Sequence, residues 1–392
     1  MQPAEGTHLL FLDNQGVLFH EPSQKLFHLN TTAAFIWCLV EEGMAHGEIL
    51  SRLQQTFSLS AADADSYYQQ TKELLQSLGA IKGFEKEPDD EEAPPEQPEP
   101  LQNSDDIFTE ERRYNLLSSH IRMRFSDAEF AALVDPVLAH LQDDGSTPEN
   151  ATIDIFRDDT GAIQILRDNI PIRACDEEIM LVPLVKGLVW ITAVNAHDFF
   201  LDIHAGVIGD GSHCFLFPAA PGSGKSTLTT ALAHNGFEYF SDEVALLHGD
   251  ELEVCPVPLA TCVKDTGTDI LSRYYPGLPE LALHLRNDGK RVRYMPPPMR
   301  CVPPADTLRP VGAIVFPRYN PDEKTELSPL GHMEALQSLM QECLIVDTHL
   351  DLAKVSALLH WVERTPCYRL SVASLDDAVS LVRNLSEELK TG

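Results

Sequence analysis

Near its N-terminus the chain alternates apolar and polar positions in the short runs "HLLFLD", "GVLFHE" and "KLFHLN", separated by turn-forming residues. A period of two predicts half-buried strands, so the segment predicts a small three-stranded sheet. The period then changes. "NTTAAFIWCLVEEG" opens with capping residues and places Phe35, Ile36, Leu39 and Val40 at helical spacing, and "HGEILSRLQQTF" and "ADADSYYQQTKELLQSLGAI" repeat that pattern. Strands followed by three helices predict a small α+β module of winged-helix type over residues 1–84. Residues 107–145 are expected to be largely helical. Further on, "ATIDIFRD", "AIQILRD", "HCFLFP" and "VGAIVFP" predict strands, while "KSTLTTALAHNG", "GHMEALQSLMQECL" and "LDDAVSLVRNLSEEL" predict helices. That mixture predicts an α/β domain with a sheet core over residues 107–392.

Residues 85–106 interrupt the pattern. "EKEPDDEEAPPEQPEP" has no large apolar side chain, and from Glu85 to Asp106 ten acids stand against one lysine, a net of −9. Such a stretch buries too little surface to offset its ordering entropy, so an extended linker is expected there. The whole chain of 392 residues carries 29 Lys and Arg against 60 Asp and Glu, a net charge of −31. That balance argues against nucleic acid and anionic membrane as partners, and requires a local positive site for any anionic ligand. No basic segment precedes a sustained apolar one, and no run approaches the roughly 18 apolar residues of a membrane span, so a cytoplasmic protein is expected. Eight scattered cysteines form no CxxC pair and read as reduced core thiols.

The stretch "FLFPAAPGSGKSTLTTAL" carries the candidate chemistry. A phosphate-binding loop needs Gly, four residues, then Gly-Lys-Ser/Thr between a strand and a helix. Here the window runs from Ala219 to Ser226, with Ala219 in place of the first glycine. Gly222, Ser223 and Gly224 would turn backbone N–H groups onto phosphate, Lys225 would reach the β- and γ-phosphates, and Ser226 would ligate Mg²⁺. The helix beginning at Lys225, with Thr227 in its first turn, adds its positive dipole end. ATP and Mg²⁺ are therefore the expected cofactors. His204 ends an upstream apolar run, and Asp242 and Glu243 follow a downstream one, where acids hold metal or take a hydroxyl proton. "LRNDGKRVRYMPPPMR" supplies Arg286, Lys290, Arg291, Arg293 and Arg300, among which Arg291 and Arg293 are the expected phosphate contacts; Lys264 is a further candidate.

Taken in order, "HAGVIGDG", the loop, "GFEYFSDEVALL", "DGKRVRYMPPP" and "VGAIVFPRYNPDE" resemble the catalytic domain of HPr kinase/phosphorylase and its relatives. The resemblance implies an α/β P-loop kinase domain of the HPr kinase type, acting on a serine hydroxyl, and oligomers of the chain. It implies Asp242 as the base, His204 close to the reacting phosphate, Lys225 on the phosphates, and Ser226 and Glu243 on the metal. Glu243 stands where the family has a second aspartate, and no Glu-Ile-Arg-Gly segment follows.

The N-terminal module resembles the PqqD-like recognition elements of ribosomal peptide pathways. Leu29, Asn30, Thr32, Ala33, Ile36 and Trp37 match their Leu-Asn-x-Thr-Ala-x-x-Ile-Trp core. That resemblance implies a precursor (leader) peptide added as a strand to a sheet edge, with Leu26, Phe27, His28, Leu29 and Trp37 forming the groove. Together the two resemblances imply a kinase for a serine-type hydroxyl of a ribosomally made peptide. Two alternatives stay open: a kinase of a small molecule or folded protein, and a nucleotide-dependent peptide switch or chaperone without catalysis.

Overall fold

The computed structural model describes residues 1–84, 105–220, 222–249, 251–340, 344–345 and 349–391. Nearly all of the expected linker, and Pro221 of the glycine-rich loop, lie outside the described residues. Two compact units result, and they cut across the expected boundaries: Leu330–Ser338 and the helix Leu352–Arg364 belong with the N-terminal module, not with the chain around them.

In the first unit, β1 (Thr7–Leu12), β2 (Gln15–His20) and β3 (Lys25–Leu29) form an antiparallel meander in that order. Asp13 and Asn14 join β1 to β2 with φ of 48° and 62°. Both values suit a primed two-residue hairpin, which short polar side chains tolerate. Then come α1 (Thr31–Glu41), α2 (His46–Phe57) and α3 (Ala61–Leu78). The Asn30 side chain caps α1 by accepting from the Ala33 N–H at 2.9 Å, and Ser60 caps α3 from Asp63 at 3.1 Å. Leu18, Leu29, Trp37, Leu75 and Ile81 pack into one core. Two expected peptide contacts are corrected here: Leu29 and Trp37 are 1% and 0% exposed, because α1 turns its apolar face onto the sheet. Leu26 and Phe27 are half-buried and His28 is exposed on β3, the last strand of the sheet.

The helix Leu352–Arg364 packs on β1. Gln24 holds the residue just before it in both directions, donating to the Leu350 carbonyl at 3.0 Å and accepting from its N–H at 2.7 Å. His332, at the start of the short helix His332–Ser338, bonds Asp13 at 2.8 Å.

The second unit opens with β4 (Glu110–Leu116) and β5 (Ser119–Phe125), where helix is expected. Helix starts only at α4 (Ala128–Leu138). The burial along β5 alternates strictly, with Ser119, Ile121, Met123 and Phe125 inside; of the arginines between them, Arg122 is half-buried and Arg124 is 13% exposed, bonding the buried Asp154 at 2.7 Å. Leu117 and Ser118 make the turn with φ of 52° and 63°, values that neither residue type advertises. With β6 (Ala151–Arg157), β7 (Ile163–Arg167) and β8 (Ile170–Cys175) these strands form a five-stranded sheet in sequence order. α4 and α5 (Leu181–Val194) pack on it around Tyr114, Phe125, Phe130 and Val189.

The remaining strands are β9 (Leu201–Ile203), β10 (Ala205–Gly209), β11 (Cys214–Pro218), β12 (Glu238–Ser241), β13 (Ala245–His248), β14 (Glu253–Val254), β15 (Thr261–Lys264), β16 (His284–Leu285), β17 (Arg291–Met295), β18 (Val311–Tyr319), β19 (Glu326–Pro329), β20 (Leu344–Ile345) and β21 (Cys367–Val372). A mixed six-stranded sheet runs β12-β10-β11-β18-β21-β19, with β11, β18 and β21 parallel. α6 (Lys225–His234) and the C-terminal helix Leu375–Thr391 cover it through Phe215, Leu228, Leu232 and Val382. Smaller sheets run β14-β13-β9-β20 and β15-β17-β16, and α7 (Asp265–Leu271) follows β15. No helix among the described residues is long and apolar enough to cross a membrane.

Candidate functional site

A glycine seats α6. A Cβ at Gly206 on β10 would lie 2.4 Å from the Thr229 hydroxyl and 3.3 Å from Lys225 Cγ, so only glycine lets the helix lie this close to the strand. The loop joining β11 to α6 bends through Gly222 and Gly224, whose φ values are 99° and 92°. A side chain at either would be strained. Ala219 is buried and is not among the positive-φ residues, so the alanine that replaces the first glycine of the motif suits its backbone. Gly224 is the N-cap of α6 and offers no side-chain acceptor, leaving the first-turn N–H groups without a capping side chain.

Loop and helix wall a cavity of about 280 Å³ that gathers His204, Gly222, Gly224, Lys225, Ser226, Thr227, Asp242 and Glu243. These expected site residues, distant in sequence, are brought together. Ser223 is not in the wall; its N–H donates to the Ala220 carbonyl at 3.2 Å and its own carbonyl accepts from Tyr319 at 3.1 Å. Arg291 and Arg293 are also absent from it. Arg291 is exposed, and Arg293 pairs with Asp265 at 3.2 Å. Besides Lys225, the cations that reach the cavity are Lys264, Arg286 and Lys290, the last two flanking the turn from β16 to β17. Both expected arginines belong to β17, Arg291 as its first residue and Arg293 two further on and so on the same face, whereas a turn projects its side chains past the sheet.

The two acids sit on a turn tied by Ser241, whose hydroxyl accepts from the N–H of Glu243 at 3.2 Å and of Val244 at 3.1 Å. Asp242 is 3% exposed. The Ser226 hydroxyl neighbours its carboxylate, while Oδ1 has no partner among the described residues. Burial pushes this carboxyl up to about 6, against the pull of Lys225 and Ser226. The Lys225 ammonium donates to the Asp242 backbone carbonyl. Burial also drives His204 down to about 4, helped by Lys225 and Arg286 and opposed by Glu243, so its imidazole is neutral near pH 7.

Lys186 was missed in the sequence. It projects from α5, is 4% exposed, and meets Glu243 at 2.5 Å with the Tyr294 ring 5.3 Å from its nitrogen. Burial would raise Glu243, but Lys186, then Lys225 and His204, outweigh it and hold the carboxyl below its usual range. A signal existed: Lys186 is the single charge in the apolar run "LVPLVKGLVW". Lys186→Met should lower stability by about 1–2 kcal/mol, since it strands a partly buried carboxylate. Urea unfolding at neutral pH and again near pH 4 checks this, because the deficit should shrink once Glu243 is protonated.

An unpartnered buried carboxylate oxygen beside a hydroxyl fits a hard cation, which takes one or two carboxylates plus phosphate and water oxygens. Ser226 with Asp242 or Glu243 would hold Mg²⁺. No cluster of three or more His, Cys, Asp or Glu that could hold a metal exists among the described residues.

A family model described as Coenzyme PQQ synthesis protein D (PqqD) matches residues 15–81. A solved structure, "TbiB1 in Complex with the TbiA(beta) Leader Peptide", is 21% identical over 22% of this chain and 100% of its own, with a TM-score of 0.21. No curated protein matches the chain. By the family match, the N-terminal segment is a PqqD-like α+β domain, and the chain continues into a larger α/β region with mixed sheets.

Proposed function

We propose that the chain is an ATP- and Mg²⁺-dependent kinase of the HPr kinase type, transferring the γ-phosphoryl group to a serine-type hydroxyl of a precursor peptide that the PqqD-like domain recruits. One observation carries the reading: a buried carboxylate oxygen of Asp242 without a partner among the described residues, in a cavity that also holds a glycine-rich loop, the N-terminus of α6 and Lys225. Oriented N–H groups and a helix dipole favour polyphosphate there. Lys225, which bonds the Asp242 carbonyl, would turn to the phosphates when nucleotide enters.

Catalysis then consists of positioning and charge neutralisation. Asp242 accepts the proton of the acceptor hydroxyl, and His204, being neutral, positions the phosphoryl group by hydrogen bonding without adding charge. Bound Mg²⁺ would neutralise charge on the phosphate oxygens. Ser226 and Glu243 would hold it, with Lys186 keeping Glu243 ionised.

Recruitment rests on the PqqD-like match and on β3 as the last strand of its sheet, with Leu26, Phe27 and His28 at least partly open to solvent. An added strand would gain affinity from backbone hydrogen bonds, and tethering would raise the local concentration of its hydroxyl at the kinase site. Intact-mass spectrometry of a serine-containing precursor peptide encoded beside this chain, incubated with Mg-ATP, tests the reading. One added phosphoryl group per peptide is the expected outcome. Tight ATP binding without transfer to any such peptide would replace it with the non-catalytic switch.

A further inference from the structure

Helix α5 carries a glycine that packing does not require. Gly187 lies mid-helix, where glycine costs about 1 kcal/mol relative to alanine. Its φ is not positive, and a Cβ there would meet no heavy atom of the described residues within 4 Å. The contrast with Gly206, whose Cβ would collide with Thr229, is direct. Neither backbone conformation nor a neighbour accounts for Gly187, so the open space beside it is the feature to explain.

That space belongs to a second cavity, of about 440 Å³, walled by Leu184, Gly187, Trp190, Val244 and Tyr294. It shares His204, Glu243, Arg286 and Asp288 with the loop cavity, so the two are neighbours across the acids and the histidine. Their charges differ. The loop cavity sets Lys225, Lys264, Arg286 and Lys290 against Asp242, Glu243 and Asp288, four cations to three acids, and the N-terminus of α6 adds to that positive balance, which suits a polyphosphate. In the second cavity each cation is matched, Lys186 by Glu243 at 2.5 Å and Arg286 by Asp288 at 3.4 Å, and the remaining wall is largely apolar. A neutral, apolar group suits it.

We infer that this second cavity is the acceptor pocket, and that it seats an apolar side chain adjoining the hydroxyl-bearing residue, passing over the bare backbone of Gly187. The inference rests on the kinase reading for its chemistry. The acceptor oxygen forms a bond to the γ-phosphorus as the bond to the β–γ bridging oxygen breaks; the products are phosphoserine and ADP, and the hydroxyl proton goes to Asp242. Glycine is the residue that permits such a close approach of ligand to helix backbone.

Gly187→Leu fills the pocket from within and removes a helix-interior glycine, so the variant should melt no lower than wild type. Two synthetic probes with Mg-ATP, acetyl-Gly-Phe-Ser-Phe-Gly-amide and acetyl-Gly-Ala-Ser-Ala-Gly-amide, read the pocket. Wild type should prefer the first by about tenfold or more in kcat/KM, and Gly187→Leu should erase that preference. Equal rates on both probes, or an unaltered preference in the variant, would overturn the inference. A diazirine-bearing version of the first probe separates this from the kinase reading. Labelling of residues 183–190 in wild type and not in Gly187→Leu, without phosphoryl transfer, would keep the pocket and remove the kinase. Absence of labelling there, or equal labelling of the variant, would remove the pocket.

Discussion

Asp242→Asn should reduce phosphoryl transfer by about a hundredfold or more and, at neutral pH, make the nucleotide-free protein more stable. The two effects have one cause. The carboxyl is 3% exposed, and burial raises it from 3.8 to about 6, with Lys225, Ser226 and Glu243 as smaller influences. Below pH 3.8 both the folded and the unfolded chain keep this proton, and the site costs nothing. Between 3.8 and about 6 the unfolded chain releases it while the folded chain holds it, so stability falls as pH rises. Above that window the full penalty persists, on the order of 3 kcal/mol at 1.36 kcal/mol per unit. Asparagine does not titrate. Urea unfolding in EDTA should therefore show the variant's advantage opening between pH 4 and 6 and flat above pH 7. An advantage independent of pH would mean the carboxyl is not desolvated, and unchanged transfer would take Asp242 out of the chemistry.

Deleting residues 1–84 should yield an aggregating protein and not an independently folded remainder. The helix Leu352–Arg364 packs on β1 and buries Val355, Leu358, Leu359, Trp361 and Val362. Without the sheet, part of that face meets water, at about 1.5–3 kcal/mol for each large side chain fully uncovered. Gln24, which holds both backbone groups of Leu350, is lost as well. Size-exclusion chromatography and a thermal melt of the truncated chain test this. A monodisperse truncated protein with the melting temperature and ATP affinity of the full chain would show that the helix keeps its fold without β1. Point changes on β3, such as Leu26→Glu, are accordingly the better probe of peptide recruitment.

The N-terminal module was legible because its signals are local. Alternating runs, the Asn30 cap and the apolar positions of α1 are each written within a dozen residues, and the structure follows them. Leu29 and Trp37 are expected in the peptide groove, yet they are core. Periodicity marks an apolar face without saying whether a ligand or the rest of the domain covers it. The opening of the second unit was misread for another reason. In "SHIRMRF" the period of two is present, but the turn that starts the strand is Leu117-Ser118, a pair with no conventional turn signal.

The sequence by itself determined the loop, since the glycines, Lys225, Ser226 and the helix that follows are contiguous and their roles are set by backbone geometry at short range. It also determined the pair of acids and the histidine as residue types suited to metal, proton and phosphate. Only the tertiary structure decided which cations reach that loop, choosing Arg286 and Lys290 over Arg291 and Arg293, because the fold sets the β16–β17 turn against the cavity and leaves the face of β17 that carries both arginines out of its wall. It alone placed Lys186 against Glu243, fifty-seven residues apart, and joined the helix Leu352–Arg364 to the N-terminal sheet. Contacts across such separations depend on how whole elements pack, and no local periodicity encodes that.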